Sequence, residues 1–208
     1  MKKEIVFLGI DGSGKSTMSI MSKIYLEKKG FNVKIVPFHK WVFADFLRTV
    51  FGKVIDKDRK DRKSPYSPPP KSFSSIIKPP IAFIDNIIFY ILNKPIKNNH
   101  IVIYDRFICA TQIKFRALNY NVKWFEGLWW NLKPKNAIIF TLDVDESIER
   151  QIRRNDPYAY TKEQLTIEQE LYIKLAKKYN FPIINTTNNS PEETFQQLEV
   201  ELNKIIKK

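Results

Sequence analysis

The amino-acid sequence predicts an α/β fold in three layers, in which helices cover both faces of a five-stranded, mostly parallel sheet. Three observations lead to this prediction. The chain has 208 residues, which suits a single domain over 1–208, with or without an insertion. Its short apolar runs lack the alternation of polar and apolar residues, as expected for strands that are buried on both faces. Segments with the apolar spacing of helices separate these runs.

The predicted strands are short runs rich in Ile, Val and Phe, which favour extended backbone. Strands that alternate with helices along the chain pair in parallel, and this order therefore predicts the parallel sheet. In chain order the runs are Glu4–Leu8, Phe31–Val36, Ile101–Tyr104, Ala137–Leu142 and Ile183–Ile184.

Four segments have the spacing of amphipathic helices: 15–29, 41–51, 161–179 and the stretch from 191 onward. Gly30 is suited to end the first of them. Thr161 and Gln164 predict a capping box at the start of the third. Ser190 and Pro191 supply an N-cap and a first-turn proline to the last.

One region breaks this order. Residues 57–63 are all charged, and residues 64–80 hold six of the 12 prolines. Proline at this density excludes a helix or a central strand, because it lacks the N–H donor and blocks the helical backbone. We therefore expect a charged and Pro-rich loop at about 53–80, either a surface loop or a basic segment that closes over a ligand or docks a partner.

The charge of the chain favours anionic ligands. Lys and Arg number 35 against 22 Asp and Glu, which gives a net charge of +13. The single cysteine, Cys109, excludes an internal disulfide and fits a reducing compartment. Ile81–Leu92 is too short and too polar to span a bilayer, and the N-terminus lacks a signal-peptide pattern. We therefore expect a cytoplasmic protein without a membrane partner.

A phosphate-binding loop is the most specific motif in the sequence. Residues 9–17, GIDGSGKST, contain the pattern GxxxxGK[ST] between a predicted strand and a predicted helix. Glycines let successive N–H groups approach phosphate oxygens, Lys15 can reach the β- and γ-phosphates, and the Ser16 hydroxyl can coordinate Mg²⁺. The motif predicts a P-loop NTPase fold. The predicted ATP-binding residues are Gly9, Gly12, Ser13, Gly14, Lys15, Ser16 and Thr17.

Tyr104-Asp105-Arg106 follows directly after the third predicted strand. The carboxyl end of a parallel strand faces the ligand crevice. Asp105 can there hold Mg²⁺ or accept a hydroxyl proton, and the Arg106 guanidinium can bind an acceptor phosphate in a bidentate manner. An ion pair at the strand end is the structural alternative.

Two further sets of charged residues bear on the transfer itself. Arg150, Arg153 and Arg154 lie close together on a predicted short helix and can stabilise the charge on a transferring phosphoryl group. A solvated basic face is the alternative. Asp11 lies inside the phosphate loop, where an acidic side chain does not serve phosphates, and we expect it to point at a substrate hydroxyl.

The combination resembles the thymidylate kinase family of nucleoside monophosphate kinases. The resemblance covers most of the chain and follows the family's phosphate loop, Asp-Arg-aromatic motif, lid and C-terminal helix with the strand after it. The matching residues are 9–17, Asp105-Arg106-Phe107, Leu142-Asp143-Val144 with 149–154, and 172–179 followed by 183–187.

This resemblance implies a kinase that uses ATP and Mg²⁺ to convert dTMP to dTDP, with Ser16 and Asp105 at the metal. It also implies a homodimer. Members of the family with an arginine in the phosphate loop draw their catalytic arginine from there. Gly12 stands at that place, and the resemblance therefore assigns the catalytic arginine to a lid at about 145–161.

The acceptor pocket departs from the family pattern. The family has a helix with a base-stacking Phe and, four residues later, a phosphate-binding Arg. Counted back from Asp105, these places are taken by Ala82 and Asn86. Phe38 and Phe83 are the aromatic residues that we predict to cover the base.

Three other functions remain open at this point. The same fold can phosphorylate a nucleoside or another small acceptor. The charge of +13 and the basic, aromatic stretch 41–63 suggest a nucleic-acid-associated NTPase, but neither Asp105 nor Asp143 is followed by the Glu usual in ATPases that activate water. A kinase-like binding protein without turnover is the third. Nucleic acid is not expected as a partner.

Aromatic residues crowd the region after Arg106, where core packing is a better explanation than a ligand role. A helix-mediated dimer face is the other explanation for those near the end of the region. The residues are Phe107, Phe115, Trp124, Phe125, Trp129 and Trp130. Cys109 is predicted to be a buried, small apolar side chain.

Overall fold

The structure, a computed structural model, describes residues 2–37, 73–95, 98–120, 122, 126–155 and 160–207. The strands within this part of the chain are β1 Lys3–Gly9, β2 Asn32–Pro37, β3 His100–Asp105, β4 Ala137–Thr141 and β5 Ile183–Asn185. The helices are α1 Lys15–Lys28, α2 Phe73–Asn93, α3 Ile108–Ala117, α4 Glu126–Asn131, α5 Val144–Arg153, α6 Lys162–Tyr179 and α7 Pro191–Lys207.

The five strands form one sheet in the order β2-β3-β1-β4-β5, and every pair runs parallel. The predicted parallel sheet is thereby confirmed. β1 lies in the centre, with Phe7 opposite Asp105 of β3 and opposite Ile138 of β4. The strand order reverses around β1, and the carboxyl edge of β1, β3 and β4 is therefore the expected ligand crevice.

The core lies on both faces of the sheet, which explains the absence of alternation in the strand sequences. Ile5 and Phe7 of β1 face a layer that includes α1 and α7. Val6 and Leu8 face the opposite layer, which includes α3 and α6. All four side chains are fully buried. These three layers confirm the predicted architecture.

The predicted starts of α6 and α7 are confirmed by their caps. The Thr161 hydroxyl accepts from the Gln164 N–H and the Gln164 side chain accepts from the Thr161 N–H, both at 3.2 Å, and close the capping box of α6. The Ser190 hydroxyl accepts from the Glu193 N–H at 3.2 Å at the start of α7. Each cap satisfies N–H groups that the first turn of a helix leaves without a partner.

The predicted Pro-rich loop at about 53–80 is wrong over its last eight residues, because α2 begins at Phe73 and contains Pro79 and Pro80. The two prolines lie beyond the first turn of a helix of 21 residues and remove two N–H donors from it. Ala82, Phe83 and Phe89 farther along α2 are buried in the core. Tertiary packing thus outweighs the local cost of proline. Residues 38–72, which include the predicted helix 41–51 and Phe38, lie outside the described part.

Core packing, as predicted, accounts for the aromatic side chains that the structure describes after Arg106. Trp129 is fully buried, 5.0 Å from Phe83 and 6.4 Å from Phe115 between ring centroids. Phe107 packs on Tyr104 at 5.6 Å. Cys109 is buried as predicted, and burial raises the pKa of its thiol to about 12. Among the described residues, no helix has both the length and the apolar character needed to cross a membrane.

Candidate active site

The phosphate loop lies at the carboxyl end of β1, directly before α1. Gly9 has a φ of +144°, and a side chain there would collide with the Phe140 carbonyl oxygen of β4. Lys15 is 5% exposed, and its ammonium group donates to the Ile10 carbonyl at 2.6 Å and to the Ser13 hydroxyl at 3.1 Å. The lysine therefore lies folded over the loop, where phosphate oxygens can replace both partners.

Charges of both signs surround Lys15. Burial lowers the pKa of its ammonium group, while the carboxylates of Asp105 and Glu168 raise it. The positive charge of Arg154 lowers it further. The charged state of Lys15 thus depends on two acidic side chains that belong to β3 and α6.

Ser16 and Asp105, the two predicted metal-binding residues, are in contact. The Ser16 hydroxyl donates to Asp105 Oδ2 at 2.5 Å. Asp105 ends β3 next to β1, and Ser16 lies in the first turn of α1. Mg²⁺ prefers oxygen ligands, takes one or two from a protein and completes its shell with phosphates and water, and this pair fits that requirement. Within the described residues, no cluster of three or more His, Cys, Asp or Glu side chains forms a separate metal site.

Arg106 turns away from Asp105 because its backbone is left-handed, with a φ of +75°. Its Nη2 atom donates to Asp11 Oδ1 in the phosphate loop. Its Nη1 atom lies 3.7 Å from Glu168 Oε1, which is an ion pair too long for a hydrogen bond. The two adjacent residues of the motif thus have different partners. Asp105 accepts from the Ser16 hydroxyl, whereas Arg106 donates to the side chain of Asp11.

Glu168 is a site residue that sequence reasoning missed. It is 1% exposed and lies on the apolar stripe of α6, three residues after Leu165 and four before Tyr172. An acidic residue in the middle of such a stripe is the signal that could have revealed it. Burial, and next the charge of Glu168, raise the pKa of the Tyr172 hydroxyl far above its usual value.

Lys114 is the second residue that sequence reasoning missed. Its Nζ atom lies 3.4 Å from Asp11 Oδ2 and 2.6 Å from the Tyr160 hydroxyl oxygen. Lys114 belongs to α3, for which the sequence offered no clear helix start, and its direction therefore could not be inferred. Tyr160 is the first residue described after 156–159, and its hydroxyl contact with Lys114 brings it close to Asp11.

Comparison with known proteins decides the family. A protein of Sulfurisphaera tokodaii named "Probable thymidylate kinase" is 30% identical to this chain over 207 residues, and the match covers 96% of each. The chain belongs to the thymidylate kinase family. "Probable thymidylate kinase 1" of Saccharolobus solfataricus is 24% identical over 203 residues, which cover 96% of this chain and 97% of the relative. No protein-family model matches the chain.

Solved structures agree with this family fold. A thymidylate kinase from Candida albicans has a TM-score of 0.66 at 17% identity, with 98% of this chain and 92% of that chain covered. A thymidylate kinase from Ehrlichia chaffeensis has a TM-score of 0.57 at 17% identity and complete coverage of both chains. The predicted P-loop fold and the family resemblance are both confirmed.

The three arginines assigned to the lid of this thymidylate kinase family member have different surroundings. Arg150 donates to the Gly12 carbonyl at 3.0 Å, to the Thr186 carbonyl at 3.1 Å and to Glu146 at 2.6 Å. Arg153 is exposed and pairs with Glu149 at 3.1 Å. Arg154 is exposed as well, and its charge acts on Lys15. Residues 156–159 lie outside the described part.

The acceptor aromatics are only partly described. The Phe83 ring is 9% exposed and packs against Trp129, as part of the core cluster on the side of α3 and α6. Its role in covering a base stays a prediction. Phe38 lies outside the described residues, and its role stays a prediction too.

Proposed function

We propose that this protein is an ATP- and Mg²⁺-dependent kinase that transfers the γ-phosphoryl group of ATP to dTMP and yields dTDP. Membership of the thymidylate kinase family supports the reaction class. The observation that carries the proposal is the meeting of Lys15, the Ser16–Asp105 pair and Arg106 at the carboxyl ends of β1 and β3. This arrangement offers a donor site and an acceptor site beside each other.

The donor half of the site consists of the phosphate loop, residues 9–17 without Asp11, together with Asp105. When ATP binds, Lys15 exchanges the Ile10 carbonyl and the Ser13 hydroxyl for the β- and γ-phosphates. Ser16 and Asp105 would hold Mg²⁺, which neutralises charge on the phosphates. Asp105 also favours the protonated form of Lys15, because its carboxylate raises the pKa of the ammonium group against the lowering effect of burial.

The acceptor half of the site consists of Asp11, Arg106, Lys114 and Glu168. Arg106 binds the acceptor phosphate with the guanidinium edge that now donates to Asp11. Asp11 accepts a hydrogen bond from the sugar 3′-hydroxyl. Arg106 keeps its orientation during this exchange because Glu168 remains on its other edge.

Arg154 is the lid arginine that we propose to stabilise the transferring phosphoryl group. Arg150 is held by two backbone carbonyls and Glu146, and Arg153 is paired with Glu149 on the surface. Arg154 follows the last residue of α5, and its charge reaches Lys15. A guanidinium at that place offsets the charge that spreads over the transferred oxygens.

A coupled ADP-release assay tests the function. The acceptor panel contains dTMP, dUMP, AMP, CMP, thymidine and single-stranded DNA. We expect dTMP to give the highest kcat/KM and thymidine to give no transfer. Phosphorylation of thymidine without phosphorylation of any monophosphate would overturn the proposal, because Arg106 would then have no phosphate to hold. ADP release that depends on DNA would instead identify a nucleic-acid-associated NTPase.

We further propose that the protein forms a homodimer and is cytoplasmic. Ile84 and Ile91 of α2 are 48% and 53% exposed, and Ile88 lies between them on the same face of the helix. An apolar stripe of this kind suits a contact between two copies. Ile91→Glu should shift the sedimentation coefficient to that of a monomer. Val200→Glu on α7, at a side chain that is 54% exposed, should leave the sedimentation coefficient unchanged.

The proposed cytoplasmic location is supported by the cysteine content. The sole cysteine, Cys109, is consistent with a reducing compartment.

A further inference from the structure

The Asp11 carboxylate carries two cations, one on each of its oxygens. Arg106 Nη2 donates to Oδ1, and Lys114 Nζ lies 3.4 Å from Oδ2. The three side chains are 26%, 14% and 23% exposed for Asp11, Arg106 and Lys114, so solvent screens this cluster only in part. They come from three different segments, the phosphate loop, the end of β3 and α3, and converge on one point.

The Asp11 carboxylate is shared between two cations. A carboxylate has one negative charge, and here it faces two cations. Glu168 compensates Arg106 from the far side at 3.7 Å. Lys114 Nζ lies 3.4 Å from Asp11 Oδ2, beyond the usual length of a charged hydrogen bond, and 2.6 Å from the Tyr160 hydroxyl oxygen. A phosphate monoester carries nearly two negative charges at neutral pH and three acceptor oxygens, and can accept from both cations at once.

We propose that Lys114 is a second residue that binds the phosphate of the acceptor, beside Arg106, and that Asp11 occupies the position of this phosphate until the acceptor arrives. The inference rests on the proposed transfer to a nucleoside monophosphate and deepens it. When the phosphate takes both cations, Asp11 loses both partners at once. Its carboxylate is then available to the sugar hydroxyl of the same acceptor.

Tyr160 fixes the position of Lys114. Its hydroxyl oxygen accepts from Nζ at 2.6 Å and holds the ammonium group on the side of Asp11. Tyr160 precedes the N-cap of α6, Thr161. The cation is therefore held between α3 and the base of the lid, and it is positioned before any ligand binds.

Equilibrium binding measured by calorimetry, in the presence of a non-hydrolysable ATP analogue, tests this role. The ligands are dTMP, dUMP and thymidine. Lys114→Met should weaken dTMP and dUMP at least tenfold while it changes thymidine less than twofold, because only the phosphate is lost as a partner. Lys114→Arg should restore binding of dTMP to within about threefold. The control is Lys174→Met on α6, whose side chain is 72% exposed and pairs with Glu170, and it should bind all ligands as the parent does.

The outcomes separate this inference from the proposed function. Unchanged binding of dTMP in Lys114→Met, or an equal loss for dTMP and thymidine, overturns the role of Lys114 while the kinase activity of the parent stands. If the parent phosphorylates no monophosphate, the proposed function fails. Even in that case the binding data test the role of Lys114. Binding of dTMP or dUMP that depends on Lys114 supports the phosphate site, whereas the absence of binding of both ligands overturns it. A thermal midpoint within a few degrees of the parent shows that a variant is folded.

Discussion

Backbone forms most of the donor half of the site, whereas charged side chains from four separate segments form the acceptor half. In the donor half, one short stretch of chain supplies the loop, and Lys15 lies over its own Ile10 carbonyl. In the acceptor half, Asp11, Arg106, Lys114 and Glu168 come together only because β1, β3, α3 and α6 pack as they do. A mutation in the donor half should therefore impair the binding and use of ATP, the kind of nucleotide that P-loop proteins have in common. A mutation in the acceptor half should instead impair the binding of the acceptor, which is particular to this kinase.

The largest effect is expected in the donor half. Lys15→Met should abolish measurable phosphoryl transfer, because it removes the ammonium group that binds the β- and γ-phosphates. The fold should persist, since the methylene stem of the side chain is kept. Lys23→Met on α1, a half-exposed residue paired with Glu27 at 3.7 Å, is the matched control. Transfer within a few-fold of the parent in a coupled assay would contradict the donor assignment.

A variant of Arg154 tests whether the predicted lid contributes to the donor half of the site. Arg154→Ala should lower kcat by about 10³ with little change in the KM for ATP, as expected of a guanidinium that acts in the transition state. Arg153→Ala, an exposed neighbour paired with Glu149, should remain near the parent. Arg150→Ala should affect stability as well as rate, because Arg150 holds two backbone carbonyls. Near-parental kcat in Arg154→Ala would place charge compensation elsewhere, for instance in the basic segment 57–63.

Glu168 interacts with residues of both halves, and its replacement should change how catalysis depends on pH. Its carboxylate raises the pKa of Lys15, so Glu168→Gln should lower that pKa. Lys15 must be charged to bind phosphates, and its charge would be lost at a lower pH than in the parent. The alkaline limb of kcat/KM for ATP, which reports the free enzyme, should therefore move to lower pH.

The control for Glu168→Gln is Glu170→Gln on the same helix, where the side chain is 61% exposed. The pH profile of this variant should coincide with that of the parent. An alkaline limb that stays in place in Glu168→Gln would show that Glu168 serves the acceptor half alone.

The smallest effect is expected at the start of α6. Thr161→Ala removes the hydroxyl that accepts from the Gln164 N–H and should reduce the free energy of unfolding by about 1 kcal/mol. Chemical denaturation measures this loss. Thr166→Ala, farther along α6, removes a hydroxyl that bonds only the Lys162 carbonyl and should cost less. An equal loss in the two variants would mean that the cap does not hold the helix that carries Glu168.

The parts of the molecule that follow local rules could be predicted from the sequence. The strands were placed to within about a residue, as for Glu4–Leu8 against the observed Lys3–Gly9, because burial on both faces leaves a continuous apolar run. The α6 capping box was predicted in detail, since its two hydrogen bonds join residues only three apart. The donor half was predictable for the same reason.

The parts that depend on packing between distant segments were not predictable. The position of Glu168 within the apolar stripe of α6 could have indicated its burial, but not that Arg106 lies 3.7 Å away. Lys114 faces Asp11 only because α3 follows β3 at the angle that the core requires. The helix through Pro79 and Pro80 likewise contradicts local propensity and depends on the burial of side chains such as Phe83.

The contacts of α5 with the phosphate loop fix the orientation of two peptide planes. The Ser147 hydroxyl donates to the Asp11 carbonyl at 2.6 Å, and Arg150 donates to the Gly12 carbonyl at 3.0 Å. In a planar trans peptide the N–H of the next residue points opposite to the carbonyl. With both oxygens held by α5, the amides of Gly12 and Ser13 point away from α5, and the Ser13 N–H donates to the Ile10 carbonyl at 3.3 Å. The two peptide planes are thus held in place before a ligand binds, and ATP loses little affinity to ordering the loop when it binds.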